Sequence, residues 1–396
     1  MIYRSISGLV GAALRPLARG VARERLALDL PDLPRGAIWV HGASVGELNS
    51  ARPVVAALAA VRPVVVSANS DTGLAVARGW GLPALRAPLD VPQAVGRFLD
   101  ALQPSLAVTI ENELWPNRAA ALTARGIPQA LIGARMSARS ARSWGRVPGL
   151  AGGALAGVRL ASAQDAGTEA RLRALGLPAA AVAPRLNLKL LTPAATRPPA
   201  TDAGRGRVWL AASTHPGEDE IALAAHAALA ARWPDARLIL APRHPQRADA
   251  VAALIAARGL RHDRLGARDV AHVPPVPVLL IDRLGALDGA YAAAGVCLTG
   301  GSLVDHGGHT PWEPAAHACA LLHGPHVANF AADYAALDAQ GAAREVTAAT
   351  LATTLAALMA DEARRRAMGA AARAALDAAA PDPAGLVTAL LALARD

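Results

Sequence analysis

Two carboxylates stand where the chain turns from strand to helix. His41-Gly-Ala-Ser-Val-Gly-Glu47 follows an apolar run and puts Glu47 in the first turn of the next helix. A base that takes a proton from an attacking hydroxyl needs such a place, at a strand end open to substrate. The competing use is electrostatic: Glu47 would only offset the positive helix end, worth about 0.3 to 1 kcal/mol. Further on, Glu111-Asn-Glu-Leu-Trp-Pro-Asn117 sets Glu111 and Glu113 two apart, on one side of an extended segment. One could hold substrate hydroxyls while the other braces the loop or caps the helix opening near Pro116.

Basic and imidazole groups form the second set. Arg135, Arg139, Arg142 and Arg146 are spaced four, three and four apart, which predicts a helix carrying all four on one face. Such a stripe repels itself unless an anion or solvent relieves it, and guanidinium forks suit phosphate. Ser213-Thr-His-Pro-Gly-Glu-Asp-Glu220 brings hydroxyls and an imidazole to a helix start, either for an oxyanion or with Ser213 or Thr214 as caps. In Ala241-Pro-Arg-His-Pro-Gln-Arg247, Arg243 and His244 suit a phosphate or carboxylate, and Arg247 an acidic neighbour. The most specific segment is Gly300-Gly-Ser-Leu-Val-Asp-His-Gly-Gly-His-Thr-Pro-Trp-Glu-Pro314. Its glycine pairs permit close backbone approach, Pro311 fits a helix start whose free N–H groups can receive phosphate, and Glu313 could accept from ribose hydroxyls. It is neither a Gly-Lys-Ser/Thr phosphate loop nor a Gly-x-Gly-x-x-Gly fingerprint. No two aspartates lie two apart, so a metal-chelating Asp-x-Asp is missing and no metal or cofactor is expected.

These segments must sit at strand ends. Apolar runs at 37–40, 64–66, 106–110, 129–132, 158–161 and 181–183, separated by Ala/Leu helical spacing, predict a parallel doubly wound sheet. The alternation lapses over 191–207, where Pro and Gly punctuate polar residues and predict a linker. It resumes at 208–212, 238–241, 278–281, 296–299 and 320–322. The fold class expected is α/β, with two Rossmann-like domains, 1–195 and 196–396, facing a central cleft. The Ala-rich C-terminus reads as helical, its last helix able to pack back on the first domain.

Length agrees, since 396 residues exceed one ordinary core. With 53% apolar and only 3% aromatic residues, Leu, Val and Ala must do the packing. A net charge of +9 favours anionic partners, but the arginines are dispersed and no nucleic-acid-binding signature appears, so no nucleic acid is expected. Cys297 and Cys319 lack metal or redox spacing. Residues 6–14 form an apolar stretch flanked by Arg4 and Arg15, too short to span a bilayer; it is an interfacial anchor or a first packed helix.

Together the segments resemble the bacterial 3-deoxy-D-manno-octulosonic acid (Kdo) transferase family. That family shows Ser-Val-Gly-Glu, Glu-x-Glu-Leu-Trp-Pro-Asn, Ala-Arg-x-Ser-x-Arg-Ser, Ser-Thr-His-x-Gly-Glu, Pro-Arg-His-Pro-x-Arg and Gly-Gly-Ser-Leu-x-x-x-Gly-Gly-His, in this order. The resemblance implies a GT-B fold and inverting transfer from CMP-Kdo to lipid IVA, a phosphorylated, acylated disaccharide, at the cytoplasmic face of the bacterial inner membrane. It implies Glu47 as general base and Glu111 as a second essential carboxylate. Ser213, Thr214, Arg243, His244, Gly300, Gly301, Ser302, Gly307, Gly308, His309, Thr310 and Glu313 would form the nucleotide-sugar site. Ser44, Gly46, Glu113, Arg135, Arg139 and Arg142 would meet the acceptor, and the anionic membrane surface would be a further partner. Three departures are visible: Thr310-Pro-Trp-Glu-Pro314 where the family has Asn-Pro-Leu-Glu-Pro, Leu186 where it has Gly before Asn-Leu-Lys, and Gly133 where it has Asn. A paralogue with another donor or acceptor, a sugar-nucleotide epimerase and a non-catalytic nucleotide or lipid sensor are the alternatives.

Overall fold

The computed structural model describes residues 2–111, 114–200, 204–272, 275–380 and 382–394. They divide into two compact units, Met1–Thr192 with Pro381–Asp396, and Pro193–Ala380.

The first unit holds strands β1 (Ile38–His41), β2 (Val64–Ala68), β3 (Ala84–Arg86), β4 (Leu106–Ile110), β5 (Gln129–Ala134), β6 (Val158–Ala163) and β7 (Val182–Ala183). They form one parallel sheet in the order β3-β2-β1-β4-β5-β6-β7. Continuous apolar runs suit strands covered on both faces. Ile38, Val40, Val64, Val66, Leu106 and Val108 pack with Leu48, Val54 and Val55 of helix Val45–Ala59. Trp39, Val65 and Ala107, on the other face, meet Phe98, Leu99 and Leu102 of helix Pro92–Leu102. The final helix, Ala384–Leu393, belongs to this unit and adds Leu386 and Leu390 to the first cluster.

The second unit repeats the plan with β8 (Val208–Thr214), β9 (Arg237–Pro242), β10 (His262–Arg264), β11 (Val278–Leu280), β12 (Val296–Thr299), β13 (Ala320–His323) and β14 (Ala343–Glu345). Its parallel order is β10-β11-β9-β8-β12-β13-β14. Two doubly wound sheets are therefore the architecture the alternation predicts. The segment expected as a linker is more ordered than its composition suggests: helix Leu191–Ala195 and a 3-10 turn, Arg205–Arg207, occupy it. Arg205 is buried there, its Nη2 donating to the carbonyls of Ala294 (2.6 Å) and His317 (2.8 Å).

In each sheet the strand order reverses beside the unit's first strand, between β1 and β4 and between β8 and β12. Such reversals leave a crevice at the carboxyl ends of the two strands, the usual ligand site of open α/β sheets. The segments with chemical side chains leave the carboxyl ends of these strands and of their neighbours β5 and β9.

Candidate active site

In the first unit, the loop after β1 leads into helix Val45–Ala59 through a capping box. Ser44 Oγ accepts from Glu47 N (3.3 Å) and donates to Glu47 Oε1 (3.0 Å), while Ala43 N donates to Glu47 Oε2 (2.7 Å). The helix-capping use of Glu47 is thus real. A Cβ on Gly42 would lie 2.8 Å from Leu48 Cδ2 and 3.1 Å from Ile110, so Gly42 serves packing. Gly46 sits in the helix's first turn, exposed, and a Cβ there would approach only Ser44 Oγ, at 3.9 Å.

Glu111 follows β4 with a left-handed backbone, φ 55°, a conformation that costs a side-chain-bearing residue about 1 to 3 kcal/mol. Its N–H donates to Ile132 O (3.0 Å), and Oε1 lies 3.6 Å from Lys189 Nζ. Lys189 is held by a 3-10 turn, Leu188–Leu190, whose cap Asn187 accepts from Lys189 N at 3.1 Å. Two of the departures meet here. Gly133 has φ 56°, which Gly and Asn both tolerate, and Leu188 covers it so closely that a Cβ would lie 2.6 Å from Leu188 Cδ1. Leu186, in place of glycine, is buried in the core. Glu113 lies outside the described residues.

The arginine stripe is shorter than its spacing suggests. The helix spans Ala138–Gly145 with Ser137 as N-cap, so it carries Arg139 and Arg142; Arg135 precedes the cap and Arg146 is the C-cap. Ser137 Oγ accepts from Ser140 N at 3.1 Å, which stops the helix before it reaches Arg135. All four arginines are exposed, while Ala141 and Trp144 pack inward.

In the second unit the loops after β8, β9 and β12 converge. Glu218, completely buried at the start of helix Glu218–Arg232, accepts from Gly301 N (2.6 Å), Ser302 N (3.0 Å), Leu303 N (2.9 Å) and His215 N (2.9 Å). One carboxylate therefore fixes two loops, and the amides of 301–303 are already engaged. Beside it Asp219, also buried, accepts from Thr214 Oγ1 (2.6 Å) and pairs with Arg247, whose Nη1 donates to Thr214 O (3.1 Å). The sequence reading missed Glu218 and Asp219, whose partners Gly301 and Arg247 lie 83 and 28 residues further along the chain.

Several expected nucleotide contacts turn inward. Thr214 is buried with its hydroxyl on Asp219, and Ser302 is buried, accepting from Gly324 N at 2.8 Å and donating to Thr299 O at 2.5 Å. Gly300 abuts the β8 backbone, where a Cβ would lie 2.6 Å from Ala212 O. Ser213, Gly301, Gly307 and Gly308 have positive φ and shape the turns. A Cβ on Gly307 would strike Asn329, whose Nδ2 donates to the carbonyls of His306 (3.1 Å) and Gly308 (3.3 Å).

The side chains left facing solvent are basic and imidazole. Arg243 and His244, after β9, are exposed. The His215 ring stacks on His306 (centroids 4.1 Å), lies edge-on to His244 (6.3 Å), and its Nε2 is 2.9 Å from His309 Nε2. Burial, with His215 and Arg243 nearby, pushes the His309 pKa down to about 4. That of His215 is lowered too, by burial and His306 against an opposing pull from Glu218. Across the 2.9 Å between the two Nε2 atoms either ring can be the donor. Thr310 Oγ1 accepts from Trp312 N at 3.3 Å, the capping bond an Asn could also make, and the Trp312 ring is buried. Glu313 accepts from Tyr291 Oη at 3.2 Å; crowding by protein raises its pKa, with Tyr291 and Arg243 pulling back.

The comparisons agree with this anatomy. The family model described as 3-deoxy-D-manno-octulosonic-acid transferase (kdotransferase) matches residues 20–192. A 3-deoxy-D-manno-octulosonic acid transferase of Bordetella pertussis is 38% identical over 354 residues, 85% of this chain and 82% of its own. That of Haemophilus influenzae is 35% identical over 311 residues, 75% and 72% of the two chains. Among solved structures, UDP-GlcNAc 2-epimerase from Neisseria meningitidis superposes with a TM-score of 0.58 at 13% identity, over 90% of this chain and 99% of its own. At that identity the likeness shows the GT-B type of fold and nothing of the substrate. The sequence identities decide the family: the chain belongs to the 3-deoxy-D-manno-octulosonic acid transferases, and is a glycosyltransferase.

Proposed function

We propose that the protein moves Kdo from CMP-Kdo to lipid IVA with inversion at the anomeric carbon. The observation that carries this reading is the loop cluster at the second sheet's reversal. There a buried Glu218 holds the glycine-rich turn while Arg243 and the histidines remain for an anion. Arg243, His244 and His309 receive the cytidine phosphate and the sugar carboxylate; Thr310 and Glu313 hold the nucleoside end. Ser213, Thr214, Gly300, Gly301, Ser302, Gly307 and Gly308 act by shaping the turns.

On the acceptor side Glu47 takes the proton of the attacking hydroxyl as the new C–O bond forms. The bond from the anomeric carbon to the phosphate oxygen breaks, and CMP leaves with its electron pair. Arg243 and the imidazoles stabilise the charge on the departing phosphate. Glu111, with Lys189, orients the acceptor sugar, and Ser44 and Gly46 leave the helix N-terminus accessible to it. Arg135, Arg139 and Arg142 attract its phosphates.

The site of action in this reading is the cytoplasmic face of the inner membrane. Helix Ile2–Leu14 is about 20 Å long, too short to span, but exposes Ile2, Ile6, Leu9 and Val10 beside Arg4. Such a helix lies in the headgroup region of an anionic membrane. The test is product analysis by mass spectrometry. Sugar transfer and CMP release that both require lipid IVA are expected; donor conversion without acceptor would indicate an epimerase, and binding without consumption a sensor.

A further inference from the structure

Helix Ile2–Leu14 does more than coat a surface. It docks on the first unit through Gly11, where a Cβ would lie 2.9 Å from both Val91 Cγ2 and Gln93 Oε1. On the adjoining face Tyr3, Ile6, Val10 and Leu14 stand opposite Leu89, Val91 and Trp115 and line an open groove of about 390 Å³. The polar groups in its wall are engaged by one another. Tyr3 Oη donates to Asp90 Oδ2 (3.0 Å), Asp90 accepts from Asn117 N (3.0 Å) and Arg118 N (2.8 Å), and Asn117 Nδ2 donates to Ser7 Oγ (2.8 Å). The remaining wall is hydrocarbon, a lining suited to an apolar ligand.

We infer that this groove is a binding site for one acyl chain of the acceptor lipid, an inference that rests on the lipid-acceptor reading above. Trp115 lies in the same segment as Glu111, four residues on, so their backbones are at most about 14 Å apart. The groove and the acceptor-side carboxylate are therefore two ends of one loop. Exposed Arg4, Arg15 and Arg19 stand on and just after the helix, complementary to the phosphates of an anionic lipid. Ile2 and Leu9, 77% and 73% exposed, do not line the groove and remain for the bilayer itself. Asn117 and Asp90 tie the helix to the start of helix Pro116–Ala124, which follows Trp115.

The experiment compares two acceptors in detergent, lipid IVA and the same phosphorylated disaccharide stripped of its acyl chains. It uses the full chain, Val10→Trp and Ile6→Trp to fill the groove, and Leu9→Glu on the outward face, each checked for an unchanged Tm. Wild type is expected to show a lower KM for the acylated acceptor. The filling variants should shrink that advantage by on the order of tenfold, the worth of about two buried methylenes. Leu9→Glu should weaken binding to anionic vesicles and leave the ratio alone. Equal KM for both acceptors in wild type, or an unchanged ratio in both filling variants, overturns the groove assignment while transfer itself stands. A wild-type protein inert toward both acceptors overturns the transferase reading, and this inference with it.

Discussion

The two sheet reversals carry the same plan and are finished differently. At the first, Glu47 and Glu111 are half-buried carboxylates held by a capping box and one long ion pair, and the four arginines from Arg135 to Arg146 are exposed. At the second, two carboxylates are wholly buried and spend themselves on backbone amides, a threonine and Arg247. The difference fits the division of labour proposed above. A small rigid donor rewards a loop set in advance, because preorganised dipoles cost nothing when charge develops. A large flexible lipid rewards an open face that engages phosphates and tails at several points.

The largest expected effect lies at the first reversal. Glu47→Gln should lower kcat by about 10² to 10⁴, the usual worth of a general base, with Tm unchanged because glutamine also completes a capping box. If kcat holds while Tm falls, Glu47 is only a cap. At the second reversal the effect should be structural. Glu218→Ala leaves four N–H groups, two of them buried, without their carboxylate and is expected to cost about 3 to 5 kcal/mol in urea unfolding.

Acid should find the same weakness. The pKa of His226 falls to about 4 through burial, as does that of His309, both below the unfolded value near 6.5. The unfolded chain therefore binds more protons between these values. Stability is full above about pH 6.5 and declines as pH drops toward about 4, by about 3 kcal/mol for His226. Unfolding curves across that range should show the decline, and His226→Leu should flatten it. The smallest effect belongs to the open face. Arg139→Ala and Arg142→Ala should each raise the acceptor KM a few-fold, less at high salt, without altering Tm.

Much of this was legible in the residues. Val- and Ile-rich runs revealed the long central strands, because buried parallel strands need continuous apolar side chains. Strands β3, β10 and β14 were not, since each is three residues long, and Arg86, Asp263, Arg264, Arg344 and Glu345 break the apolar signal. The arginine spacing overreached because Ser137 starts the helix two residues after Arg135. The motif segments announced where chemistry would sit, but not which side chains would turn inward. Ser302 and Thr214 look like ligands in a sequence and are buried in the fold, whereas Glu218 looks like a cap and organises two loops. Burial of a polar side chain depends on partners distant in sequence, here 83 residues between Glu218 and Gly301.

The division between the reversals can be tested by CMP binding in a calorimeter, using wild type, Glu47→Gln and Glu218→Gln. CMP affinity should be preserved in Glu47→Gln and weakened at least about 100-fold in Glu218→Gln, where an amide must face the N–H groups of 301–303. Unchanged affinity in Glu218→Gln, or an equal loss in both variants, would contradict the account.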